Sequence, residues 1–143
     1  MIRLMTDNDL DEVFEIQNSS IVHPWTFEMF KDDFENDKSL YYVHEDDGVI
    51  TSYVAYEIVL DEATIMSIAT KEEFRRKGFA KNLLEKTFED LKEKEIKKIF
   101  LEVRAENKNA IALYEKNNFK QMSVRHNYYK DPLSDAIVMV KDL

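Results

Sequence analysis

A basic loop with the sequence RRKGFAK, Arg75 to Lys81, opens an amphipathic helix in an otherwise acidic chain. Four of its seven residues are cationic, whereas the whole chain has a formal net charge of -9 and only 2 glycines, one of them Gly78. Unpaired N–H groups and the positive end of the helix dipole favour phosphate at a helix start. Glycine lets a ligand approach the backbone closely. The loop therefore predicts a site for a phosphorylated cofactor and not for nucleic acid.

The composition predicts one globular domain that spans residues 1–143. A chain of this length buries a normal core, and its 44% hydrophobic residues exclude a disordered protein. No internal repeat or Pro/Gly-rich linker divides it. No apolar run reaches the length of a membrane span, and the N-terminus, MIRLMTDNDLDE, is unlike a signal peptide.

The chain contains no cysteine, which excludes disulfides, thiolate metal ligands and a covalent cysteine intermediate. Its histidines, His23, His44 and His126, do not have metal-ligand spacing, so we expect no metal; His44, before a predicted turn, is expected to be solvated. These features predict a cytoplasmic protein, and a monomer is the default expectation. The acidic balance disfavours direct binding of nucleic acid and suits a cationic partner.

Hydrophobic periodicity and turn signals predict seven strands and four helices in the order β-α-α-β-β-β-α-β-α-β-β. Thr6 and Thr26 are predicted to cap the first two helices, and Asp47-Gly48 to form a hairpin turn. We expect strands at 2–5, 40–44, 49–59, 63–70, 98–104, 120–129 and 136–141, with helices at 7–18, from 27, after the basic loop and at 109–117. This order indicates an α/β fold, a mixed sheet with helices on its faces and a parallel crossover within residues 63–104.

The loop and the order of elements resemble those of the GCN5-related N-acetyltransferases, the GNAT family. RRKGFA fits the family pattern R/Q-x-x-G-x-G/A, with Arg75 first, Gly78 central and Ala80 in place of the commoner glycine. Taken alone, the loop also fits a charged, solvated helix start. The resemblance covers the whole chain and implies a GNAT fold and acetyl-CoA as co-substrate. It also implies that the pyrophosphate lies on the backbone amides of Arg76, Lys77, Gly78, Phe79, Ala80 and Lys81.

Within that family the chain is most similar to RimI enzymes, which acetylate the N-terminal alanine of small-subunit ribosomal protein eighteen. The matching stretches are HPWT at 23–26, VLDEAT at 59–64, LEVRAENKNAIALYEKNNF at 101–119 and RHNYY at 125–129. The resemblance implies transfer to a protein N-terminus, that of a basic ribosomal protein. Because the chain has no cysteine to carry an acyl group, we expect direct transfer in a ternary complex.

Glu102 is the first catalytic candidate. It lies in the predicted strand IFLEVR, where it shares a face with Phe100 and Arg104, and a carboxylate inside an interior strand is unusual. An α-amino group with a pKa of about 7.7–8.0 is partly neutral at pH 7, so a modest base suffices to accept its proton. RimI enzymes place their base at the matching position. The alternative is a surface or ion-paired carboxylate, with Arg104 as the nearest candidate partner.

Tyr114 is the second catalytic candidate, and the resemblance assigns to it the general acid that protonates the departing CoA thiolate. It also fits an inward helical stripe, so it is equally a candidate core aromatic. Asn107 matches the family residue that hydrogen-bonds the cofactor, and it otherwise fits a turn or cap residue. The strand end Ile68, Ala69 and Thr70 matches the backbone that pairs with the pantetheine arm, by resemblance alone.

The resemblance places acceptor recognition on two segments: His23, Pro24 and Trp25, and Asn127, Tyr128 and Tyr129. Trp25 is either a binding platform or a core side chain. Two other functions stay open. The same fold and cofactor would serve a polyamine, another small amine or a lysine side chain, and a non-catalytic acyl-CoA-binding module would keep the loop without needing Glu102, Asn107 and Tyr114 together.

Overall fold

The computed structural model describes residues 1–143, and its order of strands and helices is the predicted one. The strands are β1 Ile2–Leu4, β2 Ser39–Asp46, β3 Val49–Val59, β4 Glu62–Thr70, β5 Lys98–Arg104, β6 Lys120–Tyr129 and β7 Ser134–Asp142. The helices are α1 Leu10–Ser20, α2 Phe27–Glu35, α3 Phe79–Glu93 and α4 Lys108–Lys116. Short 3-10 turns lie at Asp7–Asp9 and Glu72–Phe74.

The predicted capping residues lie at the ends of the helices, except that the first helix begins later than predicted. The Thr26 side chain accepts a hydrogen bond from the Met29 amide at 3.2 Å and starts α2 as predicted. Thr6 begins a 3-10 turn instead of α1, which starts at Leu10 and runs to Ser20, two residues beyond the predicted end. Asn118, after α4, has φ +69°, the left-handed conformation predicted for a helix end.

The seven strands form one mixed sheet in the order β1-β2-β3-β4-β5-β7-β6. The only parallel neighbours are β4 and β5, which the crossover through α3 joins as predicted. Every other neighbouring pair is antiparallel. The crossover therefore sets two parallel strands side by side in the middle of the sheet.

Core side chains cover both faces of the sheet. Along β3, Val54 and Tyr56 belong to the cluster that contains the apolar residues of α3, while Tyr53 and Ala55 belong to the cluster that contains those of α1 and α2. This alternation is the period of a strand buried on both sides. The stripe predicted on α3 is buried in full: Leu83, Leu84, Thr87, Phe88 and Leu91.

A gap opens between β4 and β5, and it positions the site. The two strands share three register pairs, the last of which joins Thr64 and Phe100. In the ladder between β3 and β4, Met66 is the extra residue of a bulge, and a bulge bends its strand. Beyond Thr64, the backbone edge of β4 that faces β5 has no ladder partner, so the strands separate and leave space between them.

His44 contradicts the expectation of a solvated side chain. Because β2 continues to Asp46, His44 lies within the strand and is 9% exposed. Its Nδ1 lies 2.6 Å from the Thr51 hydroxyl, and its ring stacks on Phe79 with 4.5 Å between centroids.

No helix is long and apolar enough to cross a bilayer.

Candidate active site

Two cavities meet in the gap between β4 and β5. The first, the loop cavity, has a volume of about 490 Å³ and lies beside the basic loop and the end of β4. The second, the Glu102 cavity, has a volume of about 470 Å³ and lies between the α1–α2 connection and β5. Ile68, Ala110 and Tyr114 line both. The two spaces therefore adjoin, with Tyr114 at their boundary.

The basic loop presents an uninterrupted row of free backbone donors. None of the six N–H groups from Arg76 to Lys81 donates to an acceptor within the protein, and the first helical bond of α3 runs from Asn82 N to Gly78 O at 3.0 Å. The positive end of the α3 dipole points to the same place. These are the six amides on which the family resemblance places a pyrophosphate, and the donors and charge fit that group.

Gly78 serves this loop through its backbone conformation. It precedes α3 with φ +80°, and a Cβ built there meets no atom within 4 Å. Arg76 also has positive φ, +65°. Arg75 holds the loop to the sheet, since its Nε donates to Thr70 O at 3.0 Å. Lys77 lies outside the cavity wall, with its ammonium 5.5 Å from the centre of the Phe74 ring.

The end of β4 forms one wall of the loop cavity. Ile68, Ala69 and Thr70 all line it. In this segment β4 pairs with β3 alone, so its other edge is free to bind an extended ligand as an added strand would. The pairing predicted for the pantetheine arm is therefore open to these residues.

Glu102 is a residue of β5, and its side chain forms part of the wall of the Glu102 cavity. Its neighbours Leu101 and Val103 are buried in the core, so Glu102 projects from the opposite face, as the alternation predicted. Its side chain is 29% exposed and pairs with Arg125, with 3.8 Å between Oε1 and the guanidinium. The partner suggested by the sequence, Arg104, instead lies 3.8 Å from Glu106. The carboxylate thus faces the cavity with a weak, solvent-exposed partner.

Tyr114 satisfies both descriptions made of it, a core aromatic and a hydroxyl at the site. Its residue is only 6% exposed and packs in the α3 cluster. The hydroxyl has no hydrogen-bond partner in the protein but is not sealed from solvent, so it reaches the cavities. Burial, with a smaller contribution from Tyr129, raises the pKa of Tyr114 to about 12. The hydroxyl is therefore protonated at neutral pH and able to donate.

Asn107 caps α4, because its Oδ1 accepts a hydrogen bond from Ala110 N at 3.2 Å. The cap holds the residue in the wall of the Glu102 cavity, beside Ala110 and Tyr114. Its side-chain nitrogen, Nδ2, donates to no protein group and is free for a ligand. The cap role is confirmed, and the cofactor contact stays a prediction.

Only some residues of the two predicted acceptor segments line a cavity of the site. His23 and Tyr129 line the Glu102 cavity, and Tyr128 shares a smaller space of about 210 Å³ with Glu102. The Glu102 carboxylate raises the pKa of Tyr128, while burial and then Glu102 raise that of Tyr129. Pro24 and Asn127 line none of these cavities.

Trp25 is a core side chain beside an open space, and its role as a binding platform stays a prediction. It packs against the core cluster of α1 and α2, and it also lines a cavity of about 110 Å³ with Phe30, Tyr41 and Gln17. The Gln17 side chain fixes the segment, since its Oε1 accepts from Trp25 N at 2.6 Å. The tryptophan is therefore a core side chain with one edge on an open space next to the Glu102 cavity.

Several residues of the site escaped sequence reasoning. Ser20, Ile21 and Val22 line the Glu102 cavity, as do Met66 and Arg104. The bulge at Met66 has no local signal in the sequence. The sequence does contain a signal for Arg104, since Arg104 shares a strand face with Glu102. That signal suggested an ion pair with Glu102 and not a position in the wall of the Glu102 cavity. No group of three or more acidic or histidine side chains is arranged to hold a metal ion.

Comparison with known proteins agrees with this geometry. The family model described as acetyltransferase (GNAT) family matches residues 10–119. That match spans most of the chain, including the loop, Glu102 and Tyr114.

The chain belongs to the GNAT family. It is an acetyl-CoA-dependent N-acetyltransferase, and the loop cavity has the donors that such a co-substrate requires. A Bacillus subtilis relative is 38% identical over 139 residues, covering 96% of this chain and 92% of its own length. The Escherichia coli [ribosomal protein bS18]-alanine N-acetyltransferase is 32% identical over 140 residues, covering 96% of this chain and 94% of its own. The crystal structure of the ribosomal-protein-S18-alanine N-acetyltransferase from Escherichia coli superposes with a TM-score of 0.93 at 31% identity, covering 99% of this GNAT chain and 92% of that one.

Proposed function

We propose that this enzyme transfers acetyl from acetyl-CoA to the α-amino group of an N-terminal alanine of ribosomal protein bS18. The observation that carries the proposal is the meeting of the two cavities at Tyr114, with Glu102 on the side away from the basic loop. The Escherichia coli enzyme named above, which acts on that alanine, resembles the chain over nearly its whole length.

The residues divide the work between the cavities. The amides of Arg76 to Lys81 bind the pyrophosphate, and the free edge from Ile68 to Thr70 holds the pantetheine arm. Asn107 lies in the wall of the Glu102 cavity beside Tyr114 and binds the co-substrate from there through its free Nδ2. The thioester then lies beside Tyr114. The acceptor N-terminus lies in the Glu102 cavity between the α1–α2 connection and Tyr129, with Tyr128, Trp25 and their neighbours Pro24 and Asn127 around its following residues.

The chemistry follows from that placement. Glu102 takes a proton from the α-ammonium group, directly or through water, and the neutral amine attacks the thioester carbonyl to form the C–N bond. When the C–S bond breaks, the Tyr114 hydroxyl gives its proton to the CoA thiolate, and the proton that the new amide nitrogen loses returns to the Tyr114 oxygen, directly or through water. The proton on Glu102 then passes to solvent. Most of the rate comes from holding amine and thioester together, and acid–base help adds a factor on the order of 10² to 10⁴. No acyl group is carried on the enzyme.

The same proposal covers the domain, the oligomeric state, the acceptor and the location of the enzyme. Residues 1–143 act as one catalytic domain, and a monomer suffices because one chain supplies the walls of both cavities. The net charge of -9 suits a basic protein as acceptor and disfavours nucleic acid. A ribosomal protein as acceptor places the enzyme in the cytoplasm.

Thiol release from acetyl-CoA tests the proposal. The acceptor is a peptide that begins with alanine and carries arginine or lysine at later positions, and the control is the same peptide blocked at its N-terminus. Spermidine and a blocked peptide with an internal lysine compete as alternative amines. We expect turnover with the free alanine peptide and a kcat/KM at least about tenfold above the other amines. Faster turnover of spermidine or of the lysine peptide would show that the acceptor is that amine and not an N-terminal alanine.

A further inference from the structure

The tip of the β6–β7 hairpin, residues 130–133, is bound by side chains from two distant parts of the chain. Arg104 donates to Pro132 O at 2.8 Å and to Lys130 O at 3.3 Å. The carbonyl between them, Asp131 O, lies 2.9 Å from His23 Nε2. Because a carbonyl only accepts, His23 Nε2 is the donor. Three consecutive carbonyls of the tip are thus held by β5 on one side and by the α1–α2 connection on the other.

Arg104 makes further contacts in the same place. Its guanidinium carbon lies 4.5 Å from the centre of the Tyr129 ring, and its side chain is 20% exposed. Glu106 lies 3.8 Å away and balances its charge. A planar guanidinium satisfies two carbonyls and an aromatic face at once, which a lysine cannot do. One side chain therefore fixes both the backbone of the tip and the ring of Tyr129.

The strand ladder alone does not fix Tyr129. The register between β6 and β7 is interrupted after Arg125, and the single pair beyond the interruption joins Tyr129 and Ser134. Asn127, inside the interrupted stretch, has φ +55°. Tyr129 nevertheless lines the Glu102 cavity. The guanidinium of Arg104 contacts its ring there, outside the continuous part of the ladder.

We propose that Arg104 is a positioning residue for acceptor binding, which holds the hairpin tip and Tyr129 against the Glu102 cavity so that the incoming N-terminus meets Glu102 in one orientation. A guanidinium offers donors and no acceptor, so Arg104 acts on the acceptor by holding its neighbours in place. His23 supplies a second, solvent-exposed tie from the opposite wall. This inference rests on the proposed function, since it concerns the acceptor side of the same site.

Arg104→Gln and Arg104→Lys test it, with Lys98→Gln as the matched control. Lys98 also belongs to β5 and loses an ion pair, 2.7 Å to Asp142, but at the opposite end of the strand. For Arg104→Gln we expect the KM for the alanine peptide to rise on the order of tenfold to a hundredfold. The KM for acetyl-CoA should change by less than about twofold, since Arg104 does not line the loop cavity. Arg104→Lys should fall between Arg104→Gln and the parent, and Lys98→Gln should match the parent.

Amide hydrogen exchange without substrate provides a second readout. We expect faster exchange in residues 127–133 of Arg104→Gln, with the amides of β5 and β7 unchanged. Equal rises in both KM values, or exchange that accelerates across β5 and β7, would show a general loss of stability and overturn the inference. Unchanged exchange in residues 127–133 would overturn it as well. The exchange measurement needs no acceptor, so it decides the inference even if the alanine peptide is not a substrate.

Discussion

The Glu102 carboxylate lies 3.8 Å from the guanidinium of Arg125, a residue of β6 whose side chain is 56% exposed. Exposed ion pairs of this kind contribute only about 0–1 kcal/mol. The pair is therefore too weak to explain a carboxylate in an interior strand. Glu102 is better explained by the cavity that it faces, and the two descriptions of it make different predictions.

Glu102→Gln and Arg125→Gln separate a base from one half of an ion pair. We expect Glu102→Gln to lower kcat on the order of 10² to 10⁴ at pH 7, because the proton of the amine loses its acceptor. Arg125→Gln should change kcat by less than about fivefold. The loss in Glu102→Gln should shrink at pH 9, where an α-amino group with a pKa of about 7.7–8.0 is largely neutral. Similar losses in both variants, or a loss independent of pH, would make Glu102 a structural residue.

Tyr114→Phe removes the hydroxyl at the boundary of the cavities and keeps the buried ring. We expect kcat to fall on the order of 10² while the KM for acetyl-CoA and the thermal unfolding midpoint stay near the parent values. The pKa of about 12 keeps the hydroxyl protonated, so titration of Tyr114 should cause no loss of activity from pH 7 to 10. Steady-state kinetics over that range checks kcat and the KM for acetyl-CoA, and thermal unfolding checks the midpoint. A variant with parental kcat would leave Tyr114 as a core residue alone.

Much of the fold is visible in the sequence because local signals agree with tertiary packing. β3 and β5 span the predicted residues, since turn residues bound β3 and alternating apolar residues mark β5. The error at His44 arose from the end of β2, where acidic residues resemble a turn but continue the strand to Asp46. A strand position inside a ladder buries a side chain that a turn position would expose.

The site is less visible because it depends on contacts between distant segments. The free amides of the basic loop follow from a helix start, which is local. The gap between β4 and β5 depends on the bulge at Met66, which the sequence does not mark. Arg104 was the natural partner of Glu102 on one strand, yet β6 brings Arg125 to Glu102 and the hairpin tip draws Arg104 away. Such exchanges of partner are decided by strand order and register.

Gly78→Ala and Gly48→Ala form a matched pair for the basic loop. Both glycines have positive φ, +80° and +77°, and a Cβ at either meets no atom within 4 Å. Each substitution should therefore cost about 1–2 kcal/mol of unfolding free energy through backbone strain. Only Gly78→Ala should raise the KM for acetyl-CoA, by about tenfold, because it disturbs the row of free amides. Equal KM values for acetyl-CoA in the two variants would show that the basic loop does not bind the co-substrate.

His44 predicts how stability depends on pH. Burial, and then the N-terminal ammonium, lower the pKa of His44, while Asp46 raises it by a smaller amount. In the unfolded chain a histidine has a pKa of about 6.5, so below that pH the unfolded state binds a proton that the folded state resists. The contribution of His44 to stability is therefore present above about pH 6.5 and is lost as the pH falls.

His44→Gln tests this dependence, since glutamine keeps a polar group near Thr51 and does not titrate. Denaturant unfolding of the parent should give a lower free energy at pH 5.5 than at pH 7.5, and the difference should shrink in His44→Gln. His126→Gln is the control, because His126 is exposed and pairs with Asp135 at the surface. It should leave most of the difference in place. A parental difference in His44→Gln, or its loss in His126→Gln, would assign the pH dependence to another group.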